Sequence, residues 1–146
     1  MRQGLGRGRP IVAVGGVLAL IGSFLPWVSA GELTGQVVTG NGLSGTGILV
    51  FVSAVGLLML MLLPYASASG RSSLDQPAAY AILCGISILG MLLTLAQLWT
   101  ADALRLWPPD RAPGLVLAVA GVVISAIGVA EVIGERDGEP PLRPRR

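Results

Sequence analysis

The chain has no histidine, no lysine and a single cysteine, Cys84. Without histidine it lacks the commonest general base and the commonest nitrogen ligand for zinc. Without lysine it has neither the cation of a P-loop nor a Schiff-base amine. A lone cysteine forms no intrachain disulfide, so nothing here reports the redox compartment. The remaining candidate ligands are carboxylates scattered through the loops, which do not build a metal site. Neither a metal nor a cofactor is expected.

Charge is also scarce. Only 12% of the 146 residues are charged and 53% are hydrophobic, whereas soluble domains carry roughly 25% charged residues. So little charge does not cover a domain of this size in water, and the expected solvent is a lipid bilayer. The formal charge of +2 rests on ten arginines. They sit at the ends of apolar runs instead of forming one stripe, which suits anionic headgroups and not nucleic acid. Arginine without lysine, alongside abundant Ala, Gly and Pro, is the composition of a GC-rich bacterial genome.

Four apolar runs divide the chain, at about 11–28, 46–63, 78–99 and 113–132. Each is long enough as a helix to cross a hydrocarbon core of roughly 30 Å. None carries a charge except Glu131, at the far end of the last. The expected fold is therefore an all-α membrane protein, a bundle of four transmembrane helices over 11–133. A basic tail (1–10) precedes it and a disordered, proline-rich tail (134–146) follows.

Arginine also sets the orientation. Arg2, Arg7, Arg9, Arg71, Arg136, Arg143, Arg145 and Arg146 fall on one side, and only Arg105 and Arg111 on the other. The positive-inside rule then places both termini in the cytoplasm of a bacterial inner membrane. Trp27, Trp99 and Trp107 fall at the outer boundary and Tyr65 and Tyr80 at the inner one, the places of an aromatic belt.

The segment from Ser23 to Gly47 admits several readings. Val28-Ser29-Ala30 offers the small residues of an export-signal cleavage site, but the preceding run is longer than the usual 7–15 residues of such signals. Gly42-Leu43-Ser44-Gly45 spells the nucleophile motif of rhomboid-type proteases, yet a serine needs a base and this chain has no histidine or lysine for it. The glycines fit neither a P-loop nor a dinucleotide site. The reading adopted is an outer loop that caps the bundle, with a hairpin about Thr34-Gly35 and a second turn at Asn41-Gly42.

Inside the runs, small residues recur at coiled-coil spacing. Gly114, Ala118, Gly121, Ser125 and Gly128 form a seam on the fourth helix, and Gly15, Ala19, Gly22 and Pro26 form another on the first. Such seams let helix backbones approach closely. They serve packing within the chain or, alternatively, a homo-oligomer face. The third helix carries a soft-polar stripe, Tyr80, Cys84, Ser87, Met91 and Thr94 with Gln97 nearby. It is a candidate lining for a lipid or apolar ligand, against the plainer reading that Ser and Thr bond to their own helix and Met fills gaps.

The run Gly22-Ser23-Phe24-Leu25-Pro26-Trp27-Val28, with a Gly/Thr-rich loop re-entering at Gly45-Thr46-Gly47, resembles uncharacterised small four-helix membrane proteins of actinobacteria. A neighbouring group, the tryptophan-associated transmembrane family, has a similar helix count and a tryptophan ending its first helix. The resemblance implies a fold and a kind of host and supplies no activity. Claudin-like proteins also place a tryptophan after the first of four helices. Their further Gly-Leu-Trp and cysteine pair are absent here. The expected function is non-enzymatic: an accessory or scaffold subunit that binds a membrane-protein partner or itself, and no nucleic acid. The alternative is a carrier or sensor of a lipid or small apolar ligand.

Overall fold

A computed structural model of the chain describes residues 7–30, 38–66, 77–100 and 113–137. It is all-α in class, four helices with one small hairpin: α1 (Gly8–Phe24), β1 (Pro26–Ala30), β2 (Val38–Asn41), α2 (Gly47–Ala66), α3 (Pro77–Thr100) and α4 (Pro113–Asp137). Proline opens both α3 and α4, where its missing N–H would be unsatisfied in any case. By length and apolar composition, Pro77–Thr100 and Pro113–Glu135 are each sufficient to cross a membrane; Gly8–Phe24 and Gly47–Leu62 are apolar but shorter.

The bounds differ from the runs read in the sequence, most at the ends of the first and the fourth. α1 stops at Phe24 instead of Val28, because Leu25 precedes a proline and is driven extended (φ −80°, ψ 158°). Apolar character continues through Trp27 and Val28, but in a strand. α4 runs through residues 134–137, which the sequence reading gave to the tail; Glu131 and Glu135 are adequate helix formers and nothing before Pro140 interrupts them. Residues 8–10, given to the N-terminal tail, open α1 instead. Residues 1–6, 31–37, 67–76, 101–112 and 138–146 lie outside the described residues, and with them the reading placed on Trp107 and the rest of both tails.

The closest contact in the molecule joins its first helix to its last. α1 and α4 run antiparallel, and three glycines of each, seven residues apart, meet in reciprocal pairs. They are Gly8 with Gly128, Gly15 with Gly121, and Gly22 with Gly114. A Cβ at Gly22 would stand 2.5 Å from the Ala118 nitrogen and 2.8 Å from the Gly114 oxygen. One at Gly114 would stand 2.8 Å from the Gly22 oxygen. The hydrogen that replaces Cβ therefore points at the opposing carbonyl, the arrangement of a Cα–H···O contact. Val12, Ala19, Ala118 and Ser125 fill the intervals and are buried.

α2 packs beside α1 and α3 beside α2, again over glycine. Leu58 covers Gly16, Leu83 covers Gly56, and Leu49 covers Gly90. Two apolar clusters result, one around Trp27, Val50, Met91 and Val122 and one around Val12, Leu57, Tyr80 and Val129. Buried Ser53 has no hydrogen-bond partner for its hydroxyl. Large apolar side chains face outward instead, among them Phe24, Met59, Ile82, Leu92 and Val123.

Gly121→Leu is expected to lower stability by about 3 kcal/mol, the upper end of ordinary overpacking, because its side chain would meet the α1 backbone. Gly85→Ala, whose Cβ meets nothing within 4 Å, should leave stability unchanged or raised. Denaturant titration in detergent, followed by helix circular dichroism, compares the two. Equal midpoints would mean that the seam does not hold the fold.

Candidate functional site

At the end of the bundle where α1 finishes, the chain turns into the hairpin and returns through a tight turn into α2. The strand register pairs Pro26 with Asn41 but Val28 with Gly40, so Trp27 is the extra residue of a bulge. A bulge re-aims the side chain it carries. Here it turns Trp27 inward, 3% exposed, where Nε1–H donates to the Gly22 carbonyl at 2.7 Å. That carbonyl lies in the last turn of α1, where helical acceptors lack partners. Gly42 covers the indole so closely that a Cβ there would be 2.6 Å from the ring. Trp27 is thus a buried plug and not the belt residue expected from the sequence. Tyr80, expected at the inner boundary, is likewise buried at 1% exposure. Trp99 is exposed, and the side chain of Tyr65 lies outside the described residues.

The remaining strand pairs, Val28–Gly40, Ser29–Thr39 and Ala30–Val38, are symmetric about position 34, where the sequence expects the hairpin; residues 31–37 themselves lie outside the described residues. In the serine motif, Ser44 Oγ donates to Asn41 oxygens at 2.9 and 3.0 Å, and the Ser44 N–H closes the turn on the Asn41 carbonyl at 3.1 Å. Gly45 has φ +62°, a conformation that favours glycine. The motif does turn chemistry, and among the described residues its hydroxyl has no base beside it.

One polar link ties the start of α2 to the end of α3. Thr46 Oγ1 lies 2.9 Å from Thr94 Oγ1 and 3.1 Å from Gln97 Oε1, while Thr94 Oγ1 donates to the Gly90 carbonyl at 2.9 Å. Each hydroxyl has one proton. Thr94 gives its proton to Gly90, so Thr46 must give its own to Thr94. All three contacts are then satisfied together only if Gln97 turns its amide nitrogen toward Thr46, the exchange of O and N that amide geometry allows.

The α3 stripe faces inward. Cys84, Ser87 and Met91 are buried and Thr94 is half-buried in the link just described, so these four side chains are packed and line no polar cavity among the described residues. The seam residues Gly114, Ala118, Gly121, Ser125 and Gly128 all lie against α1 of the same chain, not on an outward face. The open space is elsewhere. Of the contacts between neighbouring helices, that of α3 with α4 is the least extensive, and between them runs an apolar groove of about 360 Å³ lined by Ile88, Met91, Leu92, Val119, Val123 and Ile127 among others. Apart from Met91, the sequence reading singled out none of these residues. Branched apolar side chains on a membrane-like helix look alike whether they meet a helix or a gap.

At the opposite end the Gly8 N–H, the first of α1, donates to Glu135 Oε1 at 3.4 Å. A carboxylate there complements the positive end of the helix dipole. Glu131, at the far end of the fourth run, is exposed and has no described partner; the side chain of Arg136 lies outside the described residues. Among the described residues no group of His, Cys, Asp and Glu could hold a metal. No protein-family model, no curated protein and no solved structure matches the chain.

Trp27→Phe keeps an aromatic plug but leaves the Gly22 carbonyl without its donor. The expected cost is about 1–3 kcal/mol, the penalty of a buried unpaired polar group, read by the same titration. A cost near zero would mean that the indole bond contributes nothing beyond ring volume. Gln97→Glu keeps the shape and removes the amide donor that faces Thr46, leaving the two hydroxyl donors in place. It should destabilise the protein, whereas an unchanged midpoint would show that the amide oxygen, not its nitrogen, faces Thr46.

Proposed function

We propose that the chain is a four-span integral membrane protein with both termini cytoplasmic, and that it is a non-enzymatic accessory or scaffold subunit of a larger membrane assembly. Ser23, Ser53, Ser87 and Ser125 and most helical glycines turn inward while many large apolar side chains turn outward, as a bundle solvated by lipid requires. The arginine asymmetry supports the orientation. The resemblance to small actinobacterial four-helix proteins fits the same reading.

The observation that carries the accessory role is Gly85. Glycine within a helix costs about 1 kcal/mol relative to alanine, and elsewhere in the described helices that cost is offset by a close neighbour. Gly85 and Gly134 alone have open space where a side chain would stand, and of the two only Gly85 is far from a helix end. Ala78 and Ala81 are exposed beside it, at one and two turns. Small residues on a lipid-facing helix are seats for another helix. Carriage of a ligand inside the bundle has less support, because Cys84, Ser87 and Met91 are packed in the core.

The test is purification from host membranes in mild detergent, followed by native mass spectrometry of the parent and of Gly85→Leu. The expected parent is a stoichiometric complex with a second membrane protein or with itself. Gly85→Leu should release it while the monomer keeps its helicity and denaturation midpoint. A lone parent chain, or a complex indifferent to Gly85→Leu, sinks the proposal.

A further inference from the structure

Two hydroxyls within the helices bond back to their own backbone. Ser23 Oγ donates to the Ala19 carbonyl at 2.8 Å and Thr94 Oγ1 to the Gly90 carbonyl at 2.9 Å, the usual recourse of Ser and Thr inside a helix. Ser53, Ser87 and Ser125 do not. Ser125 lies in the α1–α4 seam against Gly15. Ser53 is fully buried, and its Oγ has no partner. Ser87 is 3% exposed, and its hydroxyl has no described partner either.

Ser53 and Ser87 share one layer of the α2–α3 contact. Thr46 and Thr94 fix the register of that contact by meeting at 2.9 Å. The two helices run antiparallel, so that Leu49 covers Gly90 and, further along, Leu83 covers Gly56. Ser53 lies seven residues after Thr46, and Ser87 lies seven before Thr94. Seven residues advance a helix by about 10 Å and return it to within about 20° of the same direction. Both steps lead the same way along the pair. They end level with each other on the facing sides, between the Gly90 and Gly56 contacts. Yet the threonines bond to each other and the serines do not. Serine lacks the methyl group with which threonine helps to fill its own layer.

Facing hydroxyls that are buried and do not meet are the setting for a bridging water. One water has the donors and acceptors to serve both, since each hydroxyl can give or accept. It needs a space of only about one probe sphere, not a ligand-sized cavity. We propose that the α2–α3 contact holds one structural water between Ser53 Oγ and Ser87 Oγ. It is a second polar tie, two turns along from the threonine link. It pins the middle of α3 to α2, where the neighbouring contacts are those of leucine on glycine. The inference does not depend on the partner reading, because both serines are buried and neither lies on the outward face that carries Gly85.

The experiment uses the full chain in detergent, labelled at serine, and reads magnetisation transfer from water to the serine Hβ protons by NMR. Single Ser→Ala variants assign the signals, and helix circular dichroism checks that each variant folds. Ser53 and Ser87 should show a water cross-peak. Ser23, equally buried but bonded to its own helix, should show none and controls for exchange through a hydroxyl. Ser87→Ala should abolish the cross-peak at Ser53, and Ser53→Ala the one at Ser87, because the water loses one of its two anchors. In denaturant titration the double variant should shift the midpoint by less than the sum of the two single shifts. That cycle cancels the helix-propensity gain of each alanine. No cross-peak at Ser53, a cross-peak there that survives Ser87→Ala, or midpoint shifts that simply add overturns the site.

Discussion

Everything in this bundle hangs from the backbone contact between α1 and α4. Three glycine pairs bring the two helices so close that a methyl group on either side would strike the other's main chain. The contact joins the first helix to the last and so closes the chain on itself. α1 then carries α2 through Gly16 and Leu58, and α2 carries α3 through Gly56 and Gly90. α3 thus reaches α4 last, along the loosest of the contacts between neighbouring helices. On the membrane reading proposed above, lipid tails supply no hydrophobic drive between helices, and dispersion and weak hydrogen bonds do the holding. Both fall steeply with distance, which is why the tight edge needs glycine.

A close-packed pair of helices still ends in unpaired donors and acceptors, and each end of the seam meets this with a neighbour. Where α1 finishes, the bulge at Trp27 delivers an indole N–H to the Gly22 carbonyl, one residue type serving as both plug and cap. At the other end the Gly8 N–H finds the Glu135 carboxylate of α4. The α3 stripe follows the same rule, because Thr94 bonds back to its own helix and out to Thr46. Ser53 departs from it among the described residues, a buried hydroxyl with no partner, and left bare such a group costs about 1–3 kcal/mol.

How much of this could be read from the sequence depends on the scale at which each feature is fixed. Helix number, the apolar runs and the small-residue spacing on α1 and α4 are local patterns, and they were legible. Which face those patterns meet is not local. Gly121 reads the same whether its neighbour is Gly15 of the same chain or a residue of another. The end of α1 was recoverable in principle from Pro26, but apolarity carried the run to Val28 and outweighed the pre-proline rule. Trp27 could not have been placed: a tryptophan after an apolar helix suits the water boundary on composition, and only the one-residue bulge turns it inward. The groove is the least legible, since it depends on the distance between two helices and not on the residues of either.

That distance is nevertheless written in the side chains once the pairing is known. Along α1 and α4 the facing positions alternate glycine with alanine, serine and valine, and the axes close up. Where α3 faces α4, Ile88, Leu92, Val119, Val123 and Ile127 stand opposite one another. β-branched groups project stiffly at χ1 and do not fold aside. A row of them on α4, facing Ile88 and the bulky Leu92 of α3, sets a wider spacing than glycine would permit. The Gly90 face of α3 is turned to Leu49 of α2, so the one close-approach position of its central turns is spent on another neighbour. The groove therefore follows from the same rule that closes the seam. Small residues on both sides bring backbones together and branched ones on both sides hold them apart, so one edge of the square stands wider than the rest.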